Sequence, residues 1–220
     1  MRCWCRCYSR QKCAKRNRWR WQSRRRRKPV RPKKCPRRCQ PRAHWCQELK
    51  LGKAFLKRGV EPIVFDSRAT PALASPRVFR TQLLPVYRDY VFPELKAAGG
   101  RFLPLIIGGN TTSIIDELIA TGATQFLADR PADLRKWCAR TLSSRVPLRA
   151  NVDALLVNRG PVSAIRRQAV ETLRICHAHP GFLLGCGVVA FDGNTEYVLA
   201  IRQVLDEFAS GVLDFERELH

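Results

Sequence analysis

From Gln47 onward the chain alternates short, wholly apolar runs with longer stretches in which apolar residues recur every three or four positions. The clearest passage spans residues 102–129. Phe102 to Ile107 is uninterrupted apolar sequence, which suits a strand buried on both faces. Gly108-Gly109-Asn110 then makes a turn, and Thr111 or Thr112 stands where a helix N-cap belongs. Ile114, Ile115, Leu118 and Ile119 follow at helical spacing, Gly122 supplies the stop, and Gln125 to Ala128 begins a second strand. This is a β-α-β unit. Parallel strands need such a crossover, and folds built from it place their chemistry beyond the carboxyl ends of the strands. The Gly108-Gly109-Asn110 turn is therefore the first place to look for a site.

The flanking sequence extends the pattern. Glu48 to Arg58 sets Leu49, Phe55 and Leu56 among Lys50, Lys53 and Lys57, an amphipathic helix closed by Gly59. Ile63-Val64-Phe65 is a short strand ending in Asp66-Ser67-Arg68, and 70–76 is a loop rich in Pro, Ala and Ser. A long helix is predicted over 77–98, with Phe79, Leu83, Val86, Tyr90 and Leu95 on its apolar face and kinks or breaks at Pro85 and Pro93. Further helices are predicted over 132–142 and 162–178, with strands at 146–152 and 182–184. Asn194 caps a last helix whose buried face is Tyr197, Val198, Ile201, Val204, Leu205 and Phe208. The sum is an α/β chain of about five strands alternating with helices, the pattern of a parallel sheet or a (β/α)8 barrel. A complete barrel needs eight such units.

Composition divides the chain in two. Residues 1–46 carry 19 of the 41 Lys and Arg, none of the 18 Asp and Glu, seven of the ten cysteines and four of the five tryptophans. Apart from Met1, Val30 is the only Val, Ile, Leu, Met or Phe in that stretch, so it reads as a disordered basic segment preceding a domain over 47–220. Three readings of the segment stay open. Arg24 to Arg27 with Trp19 and Trp21 suit nucleic-acid binding by phosphate neutralisation and stacking. Cys3, Cys5, Cys7, Cys13, Cys35, Cys39, Cys46 and His44 offer metal ligands, but C-x-C-x-C and C-x3-C are not the paired C-x2-C of common zinc modules. Finally, Arg, Cys, Trp, Pro and Ser without acids or aliphatics is what GC-rich coding sequence gives when read out of frame. No apolar run approaches the roughly 20 residues of a membrane span, and the N-terminus lacks the apolar region of a secretory signal.

Candidate chemistry lies at predicted strand ends. Asp66, Asn151 and Asp153 each end a strand, where a side chain either faces a ligand or caps the next segment. Asn110 either contacts a ligand or serves the turn beside Gly109. Cys186, between Gly185 and Gly187, reads as an accessible thiol. Cys138 and Cys176 fall on helices and read as core residues, and His177 and His179 flank a helix end, where a cation suits the dipole. Three scattered cysteines suit a reducing, cytoplasmic setting.

LPLIIGGNTTSIIDELIATGATQFLAD, taken with VPLRANVDALLV and GFLLGCGVVAFDGNTEYVLAI, resembles the uroporphyrinogen decarboxylase superfamily. That superfamily includes the tetrapyrrole decarboxylase and the zinc-dependent methyltransferases that move methyl groups between corrinoids and thiols such as coenzyme M. DSRATPALASPRVFRTQLLPVYRDYVFPELKAAGG is similar to the family's Asp-containing strand end, Ser-Pro turn and following helix. The resemblance covers residues 48–210 and implies the carboxyl-terminal part of a (β/α)8 barrel, a partial TIM barrel. It also implies a porphyrin-biosynthesis lyase or a cobalamin-dependent methyltransferase as parent activity, with a tetrapyrrole, a corrinoid or a corrinoid protein as partner. Asp66 and Cys186 become the catalytic candidates, with Asn110, Asn151 and Asp153 binding substrate. Zinc and a corrinoid are the cofactors the resemblance brings.

The match is incomplete at the residues that matter. Where the methyltransferase branch reads His-x-Cys-Gly-Asn-Thr, this chain reads Ile106-Ile107-Gly108-Gly109-Asn110-Thr111, leaving Cys186 as the single metal ligand of three. The decarboxylase branch places His in the Gly-Cys-Gly turn, and its amino-terminal substrate-binding arginines have no counterpart. The resemblance thus implies a truncated or inactive copy. About five of eight strands leave two open edges, so a homodimer or a separately encoded amino-terminal half is expected.

Overall fold

Strand pairing follows chain order. The computed structural model describes residues 40–215; Arg24 to Arg27, Trp19, Trp21 and the cysteines from Cys3 to Cys39 lie outside the described residues. Strands β1 (Val64–Phe65), β2 (Pro104–Ile106), β3 (Gln125–Ala128), β4 (Leu148–Val152) and β5 (Phe182–Cys186) form one sheet in the order β1-β2-β3-β4-β5. Every pair is parallel. With a helix between successive strands, this is the parallel α/β arrangement expected from the apolar runs, and it is consistent with the partial barrel that the resemblance implies.

The register sets the core. Val64 lies opposite Leu105, Leu105 opposite Phe126, Phe126 opposite Leu148 and Leu148 opposite Phe182, so one row of apolar side chains crosses the whole sheet. The first four are buried and belong to one cluster with Phe79, Tyr87, Phe92 and Trp137 from the helices. Burial of each such side chain contributes about 1.5–3 kcal/mol. Beyond β4 a second cluster joins Val152, Val157, Ile165, Ala169 and Val170 to Ala200, Ile201 and Val204 of the helix Thr195–Ala209. On the opposite face Phe65 and Leu183 are exposed, as is Ile63 just before β1; a closed barrel would fill that face.

Helix α1 runs Gln40–Leu56 and so begins seven residues before the change in composition at Gln47. Trp45 is buried edge-on against Tyr87, and Cys46 Sγ lies 3.3 Å from the Tyr90 hydroxyl. The last residues of the Arg/Cys/Trp-rich stretch are therefore part of the domain. The boundary predicted at 47 followed charge, whereas the fold follows the burial of one tryptophan.

Residues 76–97 form one helical rod, not a broken helix. Pro85 and Pro93 each follow a π-helical turn, Phe79–Leu83 and Tyr87–Val91. Leu84 N–H reaches the Phe79 carbonyl and Phe92 N–H reaches the Tyr87 carbonyl, each five residues back. Widening the turn makes room for a ring that would collide with the carbonyl four residues earlier. Elsewhere the short helix Ala154–Arg159, which the sequence pattern did not single out, precedes Val162–Cys176. Cys138 and Cys176 are buried as expected, but they are joined as a disulfide between the helices Leu134–Ser143 and Val162–Cys176, with Cα atoms 6.1 Å apart. Among the described residues no helix is long and apolar enough to cross a membrane.

Candidate functional site

Because all five strands run the same way, their carboxyl ends open on one edge. Leu148, Ala150 and Val152 of β4 face the helices, so Arg149 and Asn151 face the other side. Asp129 follows β3 at the same level. These side chains make one network: Gly109 N–H donates to Asp129 Oδ2 at 3.3 Å and Asn151 Nδ2 to Asp129 Oδ1 at 3.4 Å. Arg149 Nε donates to Asn151 Oδ1 at 3.1 Å, and its Nη2 to the Cys186 carbonyl at 3.0 Å. Four strand ends, β2 through β5, are thereby tied together. Asn151 is buried, while Arg149 and Asp129 remain half-exposed. Arg149 Nη1 has no partner among the described residues, so the cluster presents a fixed cation beside a carboxylate.

Glycines make this approach feasible. A Cβ at Gly185 would lie 2.6 Å from Arg149 Nε and 2.8 Å from Asn151 Oδ1, and one at Gly187 would lie 2.5 Å from the Ala154 Cβ. The Gly-Cys-Gly turn is thus shaped by what crosses it. Gly109, at φ +79°, takes a conformation that L side chains rarely adopt, and this aims its N–H at Asp129.

The residues expected from sequence fall into separate places. Asn151 is in the network. Cys186 contributes its carbonyl, while its side chain, opposite Val152 in register, packs against the helix-side apolar cluster. Asn110 is exposed, and its Oδ1 accepts Thr112 N–H at 3.1 Å. Neither threonine caps the helix: Thr112 Oγ1 accepts Asp133 N–H at 2.8 Å, and the Thr111 hydroxyl is buried with no partner. Asp153 caps the helix Ala154–Arg159 through Leu155 N–H at 2.7 Å, and its own N–H donates to Gln168 Oε1. His179 is buried and accepts Gly181 N–H, while His177 packs between Phe208 and Phe215.

Asp66 is buried at the end of β1 but turned toward the helices. Its Oδ1 accepts Arg68 N–H at 3.1 Å, and its Oδ2 accepts the Tyr87 hydroxyl at 2.8 Å. Burial, then the Asp66 charge and hydrogen bond, push the Tyr87 hydroxyl far above its ordinary pKa, with Arg68 opposing. Asp66 thus ties β1 to the helical rod.

Asp129 and Arg149 were not identified from sequence. Asp129 meets the criterion applied to Asp66, a carboxylate at a strand's end, and Arg149 is a charge inside a strand, between the apolar Leu148 and Ala150; each was a legible signal.

The site defines a parallel β/α protein with a polar cluster over its strand ends. The family model for uroporphyrinogen decarboxylase (URO-D) matches residues 48–204. The chain therefore belongs to the uroporphyrinogen decarboxylase family. Among solved structures it is similar to a methyltransferase from Methanosarcina mazei, at 24 % identity and a TM-score of 0.60, over 73 % of this chain and 46 % of that one. The chain thus spans about half the length of that structure. No curated protein matches it.

Zinc does not fit these residues. Ile106 and Gly108 stand at the positions of two family ligands, the Cys186 thiol packs on the helix side, and no group of three His, Cys, Asp or Glu among the described residues is placed to hold a metal ion.

Two outcomes follow. Gly185→Ala displaces the Arg149 guanidinium and costs about 1–3 kcal/mol, read from denaturant midpoints. Tyr87→Phe costs about 1–3 kcal/mol by leaving Asp66 Oδ2 without its donor. Its raised folded pKa also means that above pH about 10 the unfolded chain loses this proton first, so wild-type stability falls as pH rises further. Melting curves across pH 8–11 should show that decline reduced in the Phe variant.

Proposed function

We propose that this chain is the ligand-holding, carboxyl-terminal part of a uroporphyrinogen decarboxylase-type barrel, binding a carboxylate-bearing tetrapyrrole over the ends of β2 to β5. One observation carries this reading: Arg149, held by Asn151 and the Cys186 carbonyl, keeps a guanidinium edge for an anion. A planar fork fixed before the ligand arrives suits carboxylate recognition. Of the two parent activities, tetrapyrrole decarboxylation and corrinoid-dependent methyl transfer, the residues favour the first ligand class. Methyl transfer to a thiol needs a metal to lower the thiol pKa, and among the described residues no group of three His, Cys, Asp or Glu is placed to hold one. Decarboxylation needs cationic groups for several carboxylates and an acid near the reacting pyrrole. Asp129 and Arg149 supply one of each.

In this role Arg149 anchors a ligand carboxylate, Asn151 fixes the guanidinium plane, and Asp129 fixes Asn151 while restraining the Gly109 turn. Asp66 acts through Tyr87 on the scaffold. The family's corrinoid chemistry makes a corrinoid protein the alternative partner. The basic stretch 1–46 supports a second reading, nucleic-acid binding, on its 19 cations without an acid.

Titration with uroporphyrin I, followed by its absorbance band, is expected to show saturable binding that weakens about 10- to 100-fold in Arg149→Ala, equivalent to about 1.5–3 kcal/mol. Equal binding by both proteins would overturn the role of Arg149. Zinc titration against a chromophoric chelator should reveal no tight site in the domain. For the second reading, affinity for a single-stranded oligonucleotide should fall steeply with salt and vanish when residues 1–39 are deleted, a cut that spares Trp45.

A further inference from the structure

Immediately after the network, the chain exposes an apolar surface loop. Val188 is 82 % exposed, Phe191 is fully exposed, and Val189 is partly so. Leu155, exposed in the first turn of the helix Ala154–Arg159, starts next to Ala154, which Gly187 touches. An exposed apolar loop is usually mobile; this one is fastened. Asn158 Nδ2 donates to the Val188 carbonyl at 2.8 Å and to the Ala154 carbonyl at 2.6 Å, while its Oδ1 accepts Ala190 N–H at 2.6 Å. A turn from Gly193 N–H to the Ala190 carbonyl, and the Asn194 cap on the following helix, hold the other end. One amide thus fixes three backbone groups, and the Val188 and Phe191 side chains point into solvent.

We propose that residues 188–191 are a preformed apolar platform for the face of the tetrapyrrole ring whose carboxylate Arg149 holds. The inference rests on the ligand reading given above and adds residues that no family match assigns to binding. Its argument is adjacency of unlike chemistries. The Cys186 carbonyl that orients Arg149 lies two residues from Val188, so the anchor of the cation and the apolar loop follow the same strand end. A porphyrin has the matching pair, an apolar face and an anionic rim. A protein partner is a poorer fit, because a stable interface takes roughly 800 Å² from each side, more than one four-residue loop offers. Rigid fastening also suits a small ligand, since the loop loses little freedom on binding.

The test compares full-length wild type, Phe191→Ser and Arg149→Ala in uroporphyrin I titrations, with Phe191→Trp as a local reporter. Phe191 packs on nothing, so the Ser variant should melt with the wild type. The platform predicts about tenfold or greater loss of affinity in Phe191→Ser. It also predicts that the added tryptophan is quenched at ligand saturation, beyond the response of the native tryptophans. If Arg149→Ala weakens binding while Phe191→Ser leaves it unchanged, the platform is wrong and the anchoring role of Arg149 stands. Wild type that does not bind porphyrin removes both. A wild-type dimer in light scattering that Phe191→Ser dissociates, with porphyrin affinity unaltered, would assign the loop to a second copy and overturn the platform.

Discussion

Parallel pairing governs this domain. Each strand is regenerated only after a helical crossover, so the five carboxyl ends share one edge and the helices share one face. From that constraint the rest follows. The row Val64, Leu105, Phe126, Leu148 and Phe182 faces the helices, and the residues one step away on β4, Arg149 and Asn151, face the other side. A shift of register by one residue would exchange the two sets, burying a guanidinium among Trp137 and Phe126. The core and the site are two consequences of one alignment.

Closeness between strand ends then depends on what is absent. Gly185 has no side chain, so Arg149 can lie across β5; Gly187 has none, so the helix Ala154–Arg159 can abut the turn; Gly109 takes a positive φ, so its N–H reaches Asp129. The space at Gly108 is merely adjacent to Asp129, and a hydrogen-bonded network joins the strand ends there. Asp66, the residue most exposed to a functional interpretation from its position, is instead committed to Tyr87 and Arg68.

Much of this was legible before the structure. Apolar runs and helical spacing gave all five strands and the parallel α/β class, because both depend on local periodicity. The helical rod was legible in extent but not in form: proline chemistry predicts a disturbance, and only packing of Phe79, Tyr87 and Phe92 selects π-turns over a break. Thr111 and Thr112 looked like caps because capping is a local preference, yet the tertiary partner Asp133 claimed one of them. Cys186 was judged by its glycine neighbours, which do mark close approach, but the strand's alternation turns its thiol toward the helices. Arg149 was overlooked although the same alternation, counted from Leu148, places it on the site face. Pairing of Cys138 with Cys176 across 38 residues is a long-range fact that no spacing reveals.

The central claim is that the ligand sits on the Asp129, Asn151, Arg149 cluster and not along β1. The most direct measurement is a ¹H–¹⁵N NMR comparison of the chain with and without uroporphyrin I. The account predicts shifts concentrated at the Gly109 and Val188 amides, the Asn151 side-chain amide and the Arg149 Nε–H. Shifts confined to α1 and β1, around Trp45 and Phe65, with the cluster unperturbed, would contradict it.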